Sequence, residues 1–340
     1  MTVAATQLDF DPVRLEAFLA TALGDGPASV IERISGGQSN PTYFVTRGDQ
    51  RMVLRKQPNG PILPGAHAVD REYRVLEALH PSGLPVARPI LFNTDRDVLG
   101  TPFYLMKRVE GRVFDDCALP SVDRAERTPL WMGLADALAA LHQVRPEEVG
   151  LADFGRPTGY FARQLKRWTG QMESSSGPPV PDLQSLARWL AEHIPEDDGK
   201  SGIAHGDFRL GNVIFHPTEP RVVAILDWEL ATLGHPLADL GFCVMPWNTT
   251  PDEYGGISGL DLETLGLPSR DDFVARYSLA NPDAGALTQF HQAFALFRFA
   301  VIFVGIADRA RAGTAAAANA KSVGRLAARF AARGLDVCGA

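Results

Sequence analysis

The stretch from Gly202 to Gly241, GIAHGDFRLGNVIFHPTEPRVVAILDWELATLGHPLADLG, constrains this chain more than any other. It sets His205-x-Asp207-x-x-x-x-Asn212 at the head of one β-branched run, GNVIF, and Asp227-Trp228-Glu229 at the end of a second, VVAIL. His216-Pro217-Thr218-Glu219-Pro220 between them is turn material, so the two runs read as a hairpin. Pairing them brings the loop before the first strand and the residues after the second to one end, where Asp207, Asn212 and Asp227 are expected to converge. Two carboxylates and an amide oxygen at one point are hard oxygen donors suited to Mg²⁺, with one carboxylate left to act as a base.

At 340 residues the chain exceeds the roughly 250–300 at which a single core stops growing, so two lobes are expected. A formal charge of -7 disfavours a general grip on nucleic acid or an anionic membrane, although a local basic pocket is compatible with it. Cys117, Cys243 and Cys338 are widely spaced with no CxxC pair, which favours a reducing compartment and gives no zinc site. The N-terminus, MTVAATQLDFDP, lacks the basic segment and apolar run of a secretory signal, and a cytoplasmic location is expected. The most apolar run, Ala293 to Ala307, is interrupted by Arg298 and falls short of the roughly 20 residues of a membrane span. It reads as a buried helix whose arginine meets a polar end or a partner.

Asp11 to Leu23 has an Asp cap followed by Pro12 and predicts a helix. VIERISGGQSNPTYFVTRGDQRMVLRKQP then alternates strands with glycine turns too short for crossovers, an antiparallel meander. Gly36-Gly37 admits two readings, an ordinary hairpin turn or a loop whose amides approach phosphate, with Ser39 and Asn40 as further donors. In MVLRKQP, alternation puts Val53 and Arg55 on one face and Leu54 and Lys56 on the other. Ala66 to Leu79 predicts a helix with Val69, Tyr73, Leu76 and Leu79 on its apolar face. Beyond Gly111 the pattern is helical. Pro129 to His142 predicts a long helix ending in a packing histidine, and Asp239 in HPLADLG reads as a helix or loop anchor for the catalytic region rather than a metal ligand. On the segment Gly159 to Gln171, Arg163 and Arg167 share a face that is either part of an anionic acceptor pocket or a solvated basic surface.

HGDFRLGN followed by DWE resembles the catalytic and metal loops of the aminoglycoside phosphotransferase and choline kinase superfamily, within the protein-kinase-like fold. More narrowly, DWELATLGHPLADLG and VLRKQPNGPILPGAHAVDREYRVLEAL resemble the phosphotransferase domains related to those fused to acyl-CoA dehydrogenases. The resemblance covers about residues 30 to 330. It implies an α+β bilobal fold, with a small antiparallel-sheet nucleotide lobe over residues 1–108 and a larger, mainly helical catalytic and acceptor lobe over 109–340.

The resemblance also implies ATP and Mg²⁺ as cofactors and a small-molecule hydroxyl as acceptor. Asp207 would orient that hydroxyl or act as its general base, His205 would brace the loop, and Asn212 and Asp227 would hold Mg²⁺. Arg55 stands where protein kinases place the phosphate-binding lysine, a departure from that pattern, with Lys56 or a solvated basic edge as the alternatives. Glu72 would pair with that cation. Gly36, Gly37, Ser39 and Asn40 would cover the nucleotide, and Met106 to Val109 would meet adenine at the hinge. Trp228 and Glu229 replace the Phe and Gly of a protein-kinase DFG, and no A-P-E segment follows, which favours the small-molecule branch. Among acceptors a hydroxyacyl-CoA leads, with an aminoglycoside or amino alcohol as alternative. A nucleotide-binding pseudokinase and a metal hydrolase are the competing classes.

Overall fold

A computed structural model describes residues 8–34, 40–60, 67–312 and 324–340. The chain divides into two compact units, Met1–Glu110 with Ala224–Glu229, and Gly111–Val223 with Leu230–Ala340. The first is built on an antiparallel sheet and the second on helices, the α+β architecture expected. The sheet-bearing unit takes in a short returning segment that contains Asp227 as well as the N-terminal residues.

In the first unit, α1 (Pro12–Leu23) starts at Asp11, whose carboxylate accepts the Val13 amide at 2.9 Å. Strands β1 (Val30–Arg33), β2 (Thr42–Arg47) and β3 (Gln50–Lys56) form the meander, and helix α2 (Val69–Leu79) follows. After β4 (Pro89–Asn93) and the single turn α3 (Arg96–Leu99), β5 (Phe103–Lys107) inserts beside β3, giving the order β1-β2-β3-β5-β4 with antiparallel pairs throughout. Tyr43, Val45, Met52, Leu54, Phe103 and Leu105 from one face of this sheet bury Leu15 and Leu19 of α1.

Alternation along β3 separates Arg55 from Lys56. Lys56 shares the Leu54 face and is fully buried, its ammonium 3.1 Å from Asp9 Oδ2 and 3.0 Å from Asn59 Oδ1. Lys56 therefore has a structural partner set. Arg55 points the other way, toward α2.

In the second unit, α4 (Arg124–Gln143) begins five residues before the predicted start at Pro129. A proline near the head of a helix removes one N–H bond without ending it. Helices α5 (Tyr160–Glu173) and α6 (Pro181–Glu192) lead to β6 (Gly202–Ala204). The hairpin β7 (Val213–Phe215) and β8 (Val222–Ile225) is closed by His216 N–H donating to Arg221 O at 2.8 Å. From Ala224 the chain belongs to the first unit, and it returns at Leu230 to form β9 (Thr232–Gly234), antiparallel to β6.

Helices α7 (Pro236–Cys243), α8 (Leu262–Leu265), α9 (Arg270–Ala280), α10 (Gln289–Arg311) and α11 (Leu326–Cys338) complete the unit. By length and composition α10 could cross a membrane. Its residues Phe290 to Val301 are instead buried in a core shared with α5, α6, α7 and α11, as expected for a core helix. Gly241 permits this packing, because a Cβ there would sit 2.5 Å from the His291 carbonyl oxygen of α10.

Candidate active site

The first unit assembles a charged cluster around Arg55. Its Nη2 donates to Asp227 Oδ1 at 2.7 Å and lies 4.0 Å from Glu229 Oε2. Its Nε is 2.8 Å from Glu72 Oε2, a charge contact whose N–H is not aligned for a hydrogen bond. Glu72, on the sheet-facing side of α2, is 1% exposed. It also receives Asn40 Nδ2 at 2.6 Å on Oε1 and the Tyr104 hydroxyl at 3.0 Å on Oε2. Burial pushes the Glu72 pKa up, against the pull of Arg55 and of the Tyr104 and Asn40 hydrogen bonds toward the carboxylate.

Predicted as a donor over the nucleotide, Asn40 directs its amide nitrogen to Glu72, and its Oδ1 lies 3.0 Å from His67 Nδ1. Tyr104 is a site residue that sequence reasoning missed. The pairing of Arg55 with Tyr104 across β3 and β5 brings its hydroxyl onto this face, and that register is a long-range property.

Asp227 adopts φ +63°, a left-handed conformation sparsely populated by residues other than glycine. With Oδ1 on Arg55, its Oδ2 has no partner among the described residues. At the predicted hinge, the Lys107 and Arg108 amides donate to Arg88 O at 2.8 Å and Arg51 O at 3.0 Å. Met106 and Val109 are half-buried beside them, and the Val109 amide has no such partner among the described residues. Gly36, Gly37 and Ser39 lie outside the described residues.

In the second unit the HGDFRLGN loop leaves β6 and is held by α7. Asp239 accepts the His205 amide at 2.6 Å on Oδ2 and the Gly206 amide at 2.9 Å on Oδ1. His142, at the end of α4, lies 3.3 Å from Asp239 Oδ2 through Nε2, while its Nδ1 is 2.7 Å from the Tyr277 hydroxyl. Burial alone would raise Asp239, yet the His142 hydrogen bond, the nearby His142 and His205 rings and the Gly206 amide hold its pKa below the ordinary carboxylate value. The turn requires glycine at 206, where φ is +82° and a Cβ would lie 2.9 Å from Leu230 O.

His205 Nδ1 accepts the Asp207 amide at 3.2 Å and so braces the loop. Asn212 Nδ2 donates to the Asp207 carbonyl at 2.9 Å and to Asp207 Oδ2 at 2.6 Å. Asp207 Oδ1 and Asn212 Oδ1 are left without partners among the described residues. Burial raises the Asp207 pKa, opposed by Arg209, His205, Arg298 and the Asn212 hydrogen bond.

Asn212 in the second unit and Asp227 in the first each carry an oxygen donor of the kind Mg²⁺ takes. Asn212 and Asp227 each have one side-chain oxygen with no hydrogen bond among the described residues, and both are hard ligands. Among the described residues no group of three or more His, Cys, Asp or Glu side chains could hold a metal. Mg²⁺ commonly takes one or two protein oxygens and completes its shell with water and substrate phosphates. A cavity of about 300 Å³ lies at the opposite end of the β6–β9 pair from His205, lined by His235, Asp198, Lys200 and His291 among others. It is separate from this loop chemistry.

This fold and these loops define a class, the kinase-like phosphotransferases. Residues 30–294 match the family described as "Phosphotransferase enzyme family". The chain belongs to that family, a superfamily of ATP-dependent small-molecule phosphotransferases. It is 39% identical over 338 residues to acyl-CoA dehydrogenase family member 11 of Gallus gallus, an alignment covering 96% of this chain and 43% of that protein. It is 40% identical over 307 residues to the probable acyl-CoA dehydrogenase IBR3 of Arabidopsis thaliana, covering 84% of this chain and 37% of that protein. The chain thus spans less than half the length of these relatives. A crystal structure from Ralstonia eutropha, named a candidate aminoglycoside phosphotransferase, is 40% identical with a TM-score of 0.87, covering 97% of this chain and 98% of that one.

Proposed function

We propose that the chain transfers the γ-phosphoryl group of ATP, with Mg²⁺, to a hydroxyl of a small metabolite, with a hydroxyacyl-CoA as lead acceptor. The observation that carries the reaction type is the Asp207 carboxylate, oriented through Oδ2 by Asn212 and left with Oδ1 open. Such a carboxylate can align an acceptor hydroxyl and take its proton as the oxygen attacks phosphorus. Arg55, kept charged by Glu72 and Asp227, would neutralise the phosphate oxygens. Asn212 and Asp227 would hold Mg²⁺, which supplies further charge neutralisation when bound. The Val109 amide would meet the adenine edge beside Met106.

The acceptor class is supported by the likeness to chains named acyl-CoA dehydrogenases, where a hydroxyacyl-CoA kinase would act on chemically adjacent thioesters. Aminoglycosides and amino alcohols are the alternative acceptors. A cytoplasmic location belongs to the same proposal and is supported by three free cysteines.

The test is ADP release from ATP with and without Mg²⁺, against hydroxyacyl-CoA, amino-alcohol, sugar and aminoglycoside acceptors. Acceptor-stimulated, Mg²⁺-dependent turnover is expected, and Asp207→Asn lowers kcat by about 10²–10⁴ while nucleotide still binds. Absence of both nucleotide binding and turnover would sink the proposal.

A further inference from the structure

Helix α10 carries a cation into the core of the second unit. Arg298 is 9% exposed and flanked by Phe297 and Phe299. Its guanidinium lies 5.4 Å from the Trp168 ring centroid on α5 and 5.9 Å from that of Phe242 on α7. It makes no hydrogen bond or ion pair to any described residue, and its Nε is buried without a partner. The residues outside those described, 1–7, 35–39, 61–66 and 313–323, contain no Asp or Glu, so none of their side chains carries a counter-charge.

The other buried cations differ. Arg47 donates to the Gly24 carbonyl, and Lys56 has Asp9 and Asn59. Desolvating a guanidinium is costly, and two aromatic faces offset only part of that cost. A site that keeps such a charge is preorganised for an anion arriving from outside the chain.

Three features locate that anion. Phe242 is one turn along α7 from Asp239, the residue that holds the His205–Gly206 backbone. Trp168 lies on the same helix as Tyr160, Arg163 and Arg167. The positive field of Arg298 reaches both the Tyr160 phenol and the Asp207 carboxylate. The guanidinium, unpaired among the described residues, thus acts electrostatically on the group proposed to orient the acceptor hydroxyl.

We propose that Arg298 is an acceptor-specificity residue that binds an oxyanion, carboxylate or phosphate, on the same molecule whose hydroxyl is phosphorylated. This rests on the phosphotransferase reading and narrows it. The preferred acceptor is anionic, and polycationic aminoglycosides are disfavoured by the charge that recruits it.

Two matched acceptor pairs test the inference, a hydroxy acid against its methyl ester and a hydroxyacyl-CoA against the corresponding hydroxyacyl-pantetheine. In the wild type, kcat/KM favours the anionic member of at least one pair. Arg298→Met reduces that preference at least tenfold, mainly through KM, and Arg298→Lys restores part of it. A preference confined to the acid pair identifies the anion as carboxylate, and one confined to the CoA pair as phosphate.

Equal use of both members in both pairs, or a preference that survives in Arg298→Met, overturns the inference while leaving the phosphotransferase reading intact. If no acceptor is turned over, calorimetric binding of the same pairs to the ADP-loaded protein gives the same comparison. Equal affinities then overturn the role of Arg298. Should Arg298→Met not fold, the wild-type preferences and Arg298→Lys, in which the fork of donors is lost but the charge kept, still decide it.

Discussion

The sheet-bearing unit and the helical unit hold their candidate functional groups by opposite means. Around Arg55, charge is held by charge: Glu72 and Asp227 flank the guanidinium, and Asn40 and Tyr104 fix Glu72 in turn. Around Asp207 the loop is held by its own backbone, through two amides donated to one buried carboxylate, Asp239. An ion-pair cluster keeps a cation charged and aimed, which suits phosphate binding. A backbone-anchored loop fixes the direction of a carboxylate while leaving one of its oxygens open, which suits a base. The sharper contrast is between two arginines, Arg55 with its acidic partners and Arg298 with none among the described residues.

If charge holds the first half together, removing one member is costly. Glu72→Ala should lower the unfolding free energy by about 3–5 kcal/mol, measured by denaturant titration, because it strands a buried guanidinium. A loss under about 1 kcal/mol would mean that Asp227 alone satisfies Arg55, and the comparison would fail. In the second half, Asp239→Asn keeps one oxygen for the loop but turns an NH₂ toward the other amide. A loss of about 1–3 kcal/mol is expected, with faster hydrogen exchange at His205 and Gly206 and reduced kcat. Unchanged exchange at those amides would show that Asp239 does not anchor the loop.

An effect of similar size concerns pH. His291 accepts the Thr288 amide on Nδ1 at 3.1 Å, and burial, with His235 alongside, pushes its pKa down to about 4 against the opposing pull of Asp198. The unfolded chain, with a histidine pKa of about 6.5, takes up that proton first. This contribution to stability is therefore complete above about pH 6.5 and is lost as pH falls toward 4, by about 2 kcal/mol at pH 5. Urea titrations at pH 7 and pH 5 measure it, and His291→Gln should flatten the slope. An identical slope in that variant would assign the effect to other groups.

What was legible in the sequence was local. The hairpin between Asn212 and Asp227 and the facing of Arg55 and Lys56 on β3 follow from local spacing, and Asp239 as an anchor is read from its place in HPLADLG, although the amides it holds lie more than thirty residues earlier. What was not legible depends on register and packing. That Asn40 and Tyr104 meet at Glu72 requires three elements to align. The expectation that Arg298 meets a polar end or partner fails among the described residues, since the rings it meets come from helices α5 and α7, distant in sequence.

The return of Ala224–Glu229 to the sheet-bearing unit makes the chain cross between its two units more than once. A polypeptide cut after Glu110 would contain the whole sheet yet lack both Asp227 and Glu229, leaving Arg55 with Glu72 alone. The sheet-bearing unit is thus no cassette that recombination could lift out and graft elsewhere. Any fragment that keeps the Arg55 cluster intact must carry the chain through Glu229.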